Sequence, residues 1–211
     1  MQTQTDYLLT LAYLMGERTV QSSTTASRGQ FIQATLGEIY RAYEWPFATV
    51  RTSITNASGI ASLASNFDKE HDIEAYFYQG TEQVPMDYIN EIDQTKYQLG
   101  DNKFWIESQT DGTFLLKTKN SDTPIYVKYQ AKPPEVNASV SSPFDDKMTI
   151  ALGARRYIKL SQDPNADISQ DEALFQKRLN ENIASTQVGN PRRKLRILGN
   201  ANGYRVGGGY Q

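Results

Sequence analysis

The sequence changes from helical to strand periodicity at Ile39-Tyr40-Arg41-Ala42-Tyr43-Glu44-Trp45-Pro46-Phe47. Up to Tyr43, apolar residues recur at helical spacing, at Ile32, Leu36, Ile39, Tyr40 and Tyr43. Pro46 lacks a backbone N–H and restricts Trp45, so the helix is expected to stop there. After the stretch, apolar and polar residues alternate at the period of a β-strand, beginning with Val50, Thr52 and Ile54.

Residues from about 4 to 46 are predicted to form two helices. The first has apolar residues at helical spacing, at Tyr7, Leu8, Leu11, Ala12 and Met15, and Gly16 is expected to end it. Ser27 and Gln30 have the spacing of a capping box, in which the two side chains satisfy backbone N–H groups. The second helix is therefore expected to begin near Ser27.

Residues 48–134 are predicted to form an inserted β unit. Short alternating runs are separated by turn signals such as Gln79-Gly80 and Asp111-Gly112, and they centre on Val50–Ile54, Ile73–Phe77, Phe104–Ile106, Phe114–Leu116 and Ile125–Tyr129. Strands of this length and spacing indicate an antiparallel sandwich or barrel. A short helical turn is expected around residues 87–92.

Two further helices are predicted after the β unit. Ser142 and Pro143 are expected to be the N-cap and first residue of the third, with Asp145 and Asp146 in its first turn. The loop 163–167 is expected to separate it from a fourth helix, which opens at the capping box of Ser169 and Glu172.

The expected fold class is α+β. Residues 1–47 and 140–187 are expected to pack as one helical bundle, and residues 48–134 form the inserted β sandwich or barrel. Residues 188–211 are expected to form an extended C-terminal arm, because Pro and Gly interrupt regular structure at Pro191, Gly199, Gly203 and Gly207–Gly209.

Composition excludes several classes of site. The 211 residues include no cysteine, which excludes disulfides, thiolate catalysis and cysteine-ligated zinc or iron–sulfur sites. No apolar run approaches the roughly 18 residues of a membrane helix. The N-terminus lacks the features of a secretion signal, so synthesis in a cytoplasm and no membrane partner are expected.

Charge is unevenly distributed along the chain. Residues 189–211 contain five basic residues and no acidic ones, whereas the rest contains 17 basic and 24 acidic residues, a net charge of −7. An acidic body is thus followed by a basic, partly apolar segment.

Three stretches, in this order, resemble the phage head-to-tail adaptor (connector) family, including the tail tubular protein A proteins. They are residues 39–47, the run Ile125–Tyr129 that continues into Gln130–Pro134, and Ser142-Pro143-Phe144-Asp145-Asp146 before Ala151–Tyr157. The resemblance covers roughly residues 25–185. It implies a structural virion protein rather than an enzyme, without a cofactor, built as a helical bundle that bears a β domain.

The resemblance also implies the partners. These are the portal protein, neighbouring copies in a commonly dodecameric ring, and a downstream tail or nozzle protein. The protein would lie at the head-to-tail junction of the virion, and DNA would pass through the channel without specific recognition.

The C-terminal segment supplies the candidate site residues. Its basic and apolar residues are expected to bind the portal or a neighbouring subunit, since a cationic arm suits an acidic partner surface. They are Arg192, Arg193, Lys194, Leu195, Arg196, Ile197, Leu198, Tyr204, Arg205 and Tyr210. The alternative is a small nucleic-acid-binding or regulatory module, because basic and aromatic residues together also suit phosphate contacts and base stacking.

No catalytic or metal site is expected. His71 is the sole histidine and is interpreted as a solvated turn residue. The pairs Asp145-Asp146 and Asp171-Glu172 stand at predicted helix starts, where a helix-capping role explains them better than a catalytic role in a hydrolase. The run 163–167 lacks the Gly and Glu of a calcium loop. The Tyr-rich strands, Trp45 and Phe47 are interpreted as core rather than a ligand site.

Deletion of residues 189–211 is predicted to leave the body folded and to stop its incorporation into phage particles, since the segment is the expected partner-binding arm. Circular dichroism of the truncated protein checks the fold, and immunoblotting of purified particles checks incorporation. Truncated protein present in particles at the wild-type level would contradict the prediction.

Overall fold

The chain is an α+β protein, as expected, in a computed structural model that describes residues 1–55, 59–119 and 124–187. Its described part contains four α-helices: α1 (Gln4–Leu14), α2 (Thr25–Ala42), α3 (Lys147–Gln162) and α4 (Ser169–Gln187). Seven strands lie between α2 and α3: β1 (Thr49–Ile54), β2 (Ile60–Ser62), β3 (Glu74–Gln79), β4 (Glu82–Tyr88), β5 (Lys103–Ser108), β6 (Phe114–Thr118) and β7 (Ile125–Gln130).

The expected boundaries of α1 hold and those of α2 do not. Gly16 has a φ of 76° directly after α1, a conformation that glycine adopts without strain. The helix α2 begins at Thr25, and the Ser27 hydroxyl donates to the Thr24 carbonyl at 3.1 Å, so the capping box predicted at Ser27 is wrong. A serine hydroxyl within the first turn of a helix can donate to the carbonyl three residues earlier, and it then does not cap a backbone N–H later in the chain.

The helix α2 ends at Ala42, before the proline that was expected to stop it. Trp45 is extended, as a residue before proline must be. Its indole Nε1 donates to the Ile39 carbonyl at 2.7 Å, which satisfies a carbonyl at the helix end. Pro46 then opens a short 3-10 turn, Pro46–Ala48, that leads into β1.

The strands form one nearly closed, mixed sheet in the order β1-β7-β3-β4-β5-β6-β2. Its inner residues, which include Phe77, Phe104, Leu116 and Val127, form a hydrophobic cluster with Phe67 from the segment before β3. The pairing of β1 with β7 places Thr49 opposite Gln130, so the chain enters and leaves the sheet at one point.

The antiparallel prediction is wrong for one strand pair. The strands β4 and β5 are parallel, with Asp87 opposite Lys103 and Tyr88 opposite Phe104. A long connection that contains a 3-10 helix, Glu91–Lys96, lets β5 begin beside the last residues of β4 and run on in the same direction. The helical turn expected at 87–92 therefore lies later, and β4 occupies its first residues.

Asp146, rather than Ser142, caps α3. Its carboxylate accepts from the backbone N–H of Met148 at 3.1 Å and of Thr149 at 3.3 Å, and helical structure begins only at Lys147. Burial alone would raise the pKa of Asp146, but hydrogen bonds from Thr149, Asn182 and Arg178 outweigh it and lower the pKa to about 2. The prediction of Ser142 and Pro143 as the helix start is wrong because the ionised Asp146 is the stronger cap.

The capping box predicted at the start of α4 is also wrong. Asp167 accepts from the Ser169 backbone N–H at 2.9 Å, and the Glu172 side chain pairs with Arg156 of α3. A partly buried guanidinium attracts the carboxylate more strongly than a backbone N–H does.

Helix α3 contacts α1, α2 and α4, and all four helices contribute to one hydrophobic cluster. Where α3 crosses α2, Gly153 packs directly against the Thr35 side chain. A Cβ added to Gly153 would lie only 3.1 Å from the nearest ring atom of Phe175. Thr35 cannot easily turn away, because it is fully buried and its hydroxyl donates to the Phe31 carbonyl at 2.9 Å. The glycine thus permits the close approach of the two helices.

No helix in the described ranges combines the length and apolar character required to cross a bilayer.

Substitution of Gly153 by Ala is predicted to lower the free energy of unfolding by about 2 kcal/mol, the usual effect of an overpacked core. The matched control is Gly37→Ala, whose added methyl would lie 3.6 Å from Arg41 and meets no other close neighbour. It should leave stability unchanged or raise it by up to about 1 kcal/mol, because Ala is the better helix former. Chemical denaturation measures both; a Gly153→Ala protein as stable as wild type would contradict the packing argument.

Candidate functional site

The predicted partner-binding residues, Arg192 to Tyr210, lie outside the described residues, which end at Gln187. Among the described residues, the candidate binding groups are side chains at the surface or without a structural partner.

His71 is buried, and the expectation of a solvated turn residue is wrong. Its side chain is 1% exposed, and its Nε2 lies 3.1 Å from the Tyr40 carbonyl at the end of α2. A carbonyl only accepts, so Nε2 is the protonated nitrogen that donates. Nδ1 is buried without a hydrogen-bond partner among the described atoms, at a typical cost of about 1–3 kcal/mol.

The paired carboxylates have structural partners. Asp146 caps α3, as its position near a helix start suggested. Asp171 is buried, and hydrogen bonds from Arg155 and Lys159 outweigh its burial and lower its pKa. A carboxylate held ionised between two cations stabilises packing and is poorly suited to give up a proton at neutral pH.

The loop 163–167 is the predicted turn between helices. Asp163 accepts from the Asn165 backbone N–H at 2.9 Å, and Asp167 accepts from that of Ser169 at 2.9 Å. Both carboxylates thus hold the backbone of the turn. Within residues 1–55, 59–119 and 124–187, no group of three or more His, Asp or Glu side chains is arranged to hold a metal ion.

Three tyrosines form the most prominent aromatic feature of the sheet surface. Tyr76 and Tyr78 on β3 and Tyr126 on β7, here called the tyrosine face, alternate with buried residues of both strands. Tyr76 stacks on Tyr126 with ring centroids 5.3 Å apart, and Tyr78 meets Tyr126 edge-on at 5.1 Å. Tyr78 is 48% exposed. The rings are thus fixed by one another while their outer surfaces face solvent.

The tyrosine face is suited to binding rather than to chemistry. Rigid aromatic rings bury a large area at little entropic cost, and tyrosine is enriched where interfaces carry most of their binding energy. The neighbouring charges, an exposed Arg51 and the pair Lys128–Glu74 at 2.5 Å, supply a polar rim. Strand alternation could have placed these tyrosines outside, but the interpretation of Tyr-rich strands as core overlooked that signal. Trp45 is core as expected, whereas Phe47 is 39% exposed.

Comparison of the chain with models of known protein families gives no match. A comparison with curated proteins gives none either.

Proposed function

We propose that this protein is a structural head-to-tail adaptor of a phage virion, in which copies form a ring beneath the portal and link the capsid to the tail. The observation that carries the proposal is the order of elements: helices, an inserted sheet, then helices that share one hydrophobic cluster with the first pair. This order is what the resemblance of residues 39–47, 125–134 and 142–157 to the adaptor family implies.

In this proposal residues 1–47 and 140–187 are the helical bundle and residues 48–134 are the inserted β domain. Residues 188–211 form the arm that binds the portal or a neighbouring subunit. The chain is not an enzyme, and its work is done by surfaces that join it to copies of itself, the portal and a downstream tail protein.

A ring requires two different surfaces that fit each other, because each subunit binds one neighbour on each side. The tyrosine face supplies one such surface. Leu9 and Tyr13, four residues apart on α1 and 54% and 79% exposed, supply an apolar patch elsewhere on the molecule. Two separate apolar patches on one subunit favour head-to-tail association.

Substitution of Tyr78 by Glu is predicted to abolish ring formation while lowering the melting temperature by no more than about 4 °C, since a surface change costs about 1 kcal/mol or less. The matched control is Ile92→Glu, which places the same charge at a residue that is 90% exposed and outside the tyrosine face. Analytical ultracentrifugation and electron microscopy of particles should show rings for wild type and control only. Rings of normal yield with Glu at position 78 would show that the tyrosine face is not the subunit contact.

Imaging of purified particles tests the function itself. The expected result is a closed ring of this chain at the neck, below the capsid vertex. Density for the chain at any other place, or its absence from purified particles, would overturn the proposal.

The second candidate is a nucleic-acid-binding module, favoured by the five basic residues and absent acidic residues of segment 189–211. A DNA affinity that falls steeply with salt, and that is lost on deletion of the segment, would favour it.

A further inference from the structure

The sheet is joined to the helices by two linkers, residues 43–48 and 131–146. Both linkers contribute to the hydrophobic cluster of the helices, whereas the sheet has a separate cluster that shares no residue with it. No helix in the described ranges packs broadly against a strand. Two parts of a protein without a large apolar contact are expected to move relative to each other. The pivot of such a motion lies where the linkers enter the sheet side by side, at the bond from the Ala131 N–H to the Ala48 carbonyl of 2.8 Å.

One segment extends from the sheet across this pivot. Residues 66–71, here called the bridging segment, precede β3. On the sheet side of the pivot, the Asp68 N–H donates to the Gln130 carbonyl at 3.1 Å. On the linker side, the Lys132 N–H donates to the Asn66 carbonyl at 2.7 Å. The bridging segment is therefore held by backbone bonds on both sides of the pivot, and it continues the sheet toward the helices.

His71, the last residue of the bridging segment, contacts α2. Its side chain is 1% exposed, and Nε2 donates to the Tyr40 carbonyl at 3.1 Å, so water does not compete for this bond. Tyr40 lies in the last turn of α2, which ends at Ala42, where helical carbonyls lack partners within the helix. The His71 N–H donates in turn to the Asp68 carbonyl at 3.4 Å, which ties the histidine to the paired part of the segment.

A second contact between the bridging segment and α2 lies at the surface. Arg41 is 3.8 Å from Glu70, and both side chains are half-exposed. Exposed ion pairs of this kind contribute little, because solvent screens the charges and both side chains lose conformational freedom. Loss of the buried bond from His71 would instead leave a buried carbonyl unsatisfied, which is costly. The angle between the sheet and the helices therefore depends more on His71 than on the ion pair.

We propose that the bond from His71 to Tyr40 holds the sheet at one angle to the helices and thereby sets the angle between successive subunits of the ring. The inference rests on the proposed function, in which the tyrosine face lies on the sheet and the second apolar patch, Leu9 and Tyr13, lies on α1. Because these two contact surfaces lie on opposite sides of the pivot, a rotation at the pivot changes the angle between neighbouring copies. Head-to-tail contacts close into a ring only at a suitable rotation, and otherwise they give open filaments.

Pulsed electron paramagnetic resonance tests the proposal on the full chain, which has no cysteine and so accepts two spin labels at chosen positions. Labels at Thr81→Cys, in the turn between β3 and β4, and at Lys177→Cys, on the exposed side of α4, report the angle of the sheet. An excess of unlabelled chain restricts the measured distances to those within one copy. Wild type is expected to give a narrow distance distribution, and His71→Leu one at least about twofold broader, as for a released hinge.

Two controls separate the angle of the sheet from the stability of the fold. Labels at Ala34→Cys on α2 and Lys177→Cys on α4 measure a distance within the helices, which should stay narrowly distributed in His71→Leu. His71→Gln should restore the narrow Thr81–Lys177 distribution, because its side-chain amide can donate at the position of Nε2. Equally narrow distributions in wild type and His71→Leu, or broadening of both label pairs, would overturn the proposal. If His71→Leu does not fold, His71→Asn, whose shorter side chain brings no donor to that position, gives the same comparison.

The shape of the assemblies keeps this proposal apart from the adaptor function. Electron microscopy is expected to show rings of one size for wild type and open or unevenly sized assemblies for His71→Leu, which retains both contact surfaces. Rings of one size formed by His71→Leu despite a broad distance distribution would overturn the link between His71 and the ring. A broad distribution for His71→Leu in a protein whose wild type is absent from purified particles would support the hinge contact and remove the adaptor role alone.

Discussion

The antiparallel pairing of β1 with β7 is the constraint on which the rest of the structure depends. Thr49 faces Gln130, whose side-chain Nε2 donates to the Thr49 hydroxyl at 2.7 Å, and the Ala131 N–H donates to the Ala48 carbonyl at 2.8 Å. Because the chain enters and leaves the sheet at one point, the helices on either side can pack together despite their separation in sequence. The pairing thereby supplies the loop closure that the helices would otherwise have to achieve alone.

The helices then meet through a close crossing and a buried ion network. Gly153 lets α3 approach α2, and Arg156 reaches Glu38 of α2 at 2.5 Å and Glu172 of α4. The same guanidinium lies 4.1 Å from the centre of the Phe175 ring. Burial opposes the charged form of Arg156, but Glu172 and Glu38 outweigh it and raise its pKa. Such a network adds little net stability over an apolar core, yet any other arrangement of these helices would leave buried charge unpaired.

The polar groups of the molecule are used in two ways. In the helical part, Asp146 pairs with Arg178, Asp171 with Arg155, and Arg156 with Glu38. Each pair joins two different helices or the cap of one helix to another. On the sheet, the Tyr78 ring is half-exposed and contacts the rings of Tyr76 and Tyr126. Paired charges between helices stabilise their packing, whereas an exposed aromatic ring is available to a partner. This contrast is why the proposed subunit contact lies on the sheet, with the helical part as its support.

The sequence by itself determined the features that depend on local periodicity and composition. These are the α+β class, the apolar face of α2 through Ile32 and Leu36, five of the seven strands, and the cationic end of the chain. It did not reveal β4, because Pro85 within that strand is untypical of a sheet interior. Tertiary structure alone decided the parallel pairing of β4 with β5, the choice of Asp146 over Ser142 as the cap of α3, and the burial of His71 beneath the end of α2. The periodic spacing of apolar residues is a property of the local sequence. The hydrogen-bonding or packing partner of a side chain instead depends on competition among groups that folding brings together from distant positions.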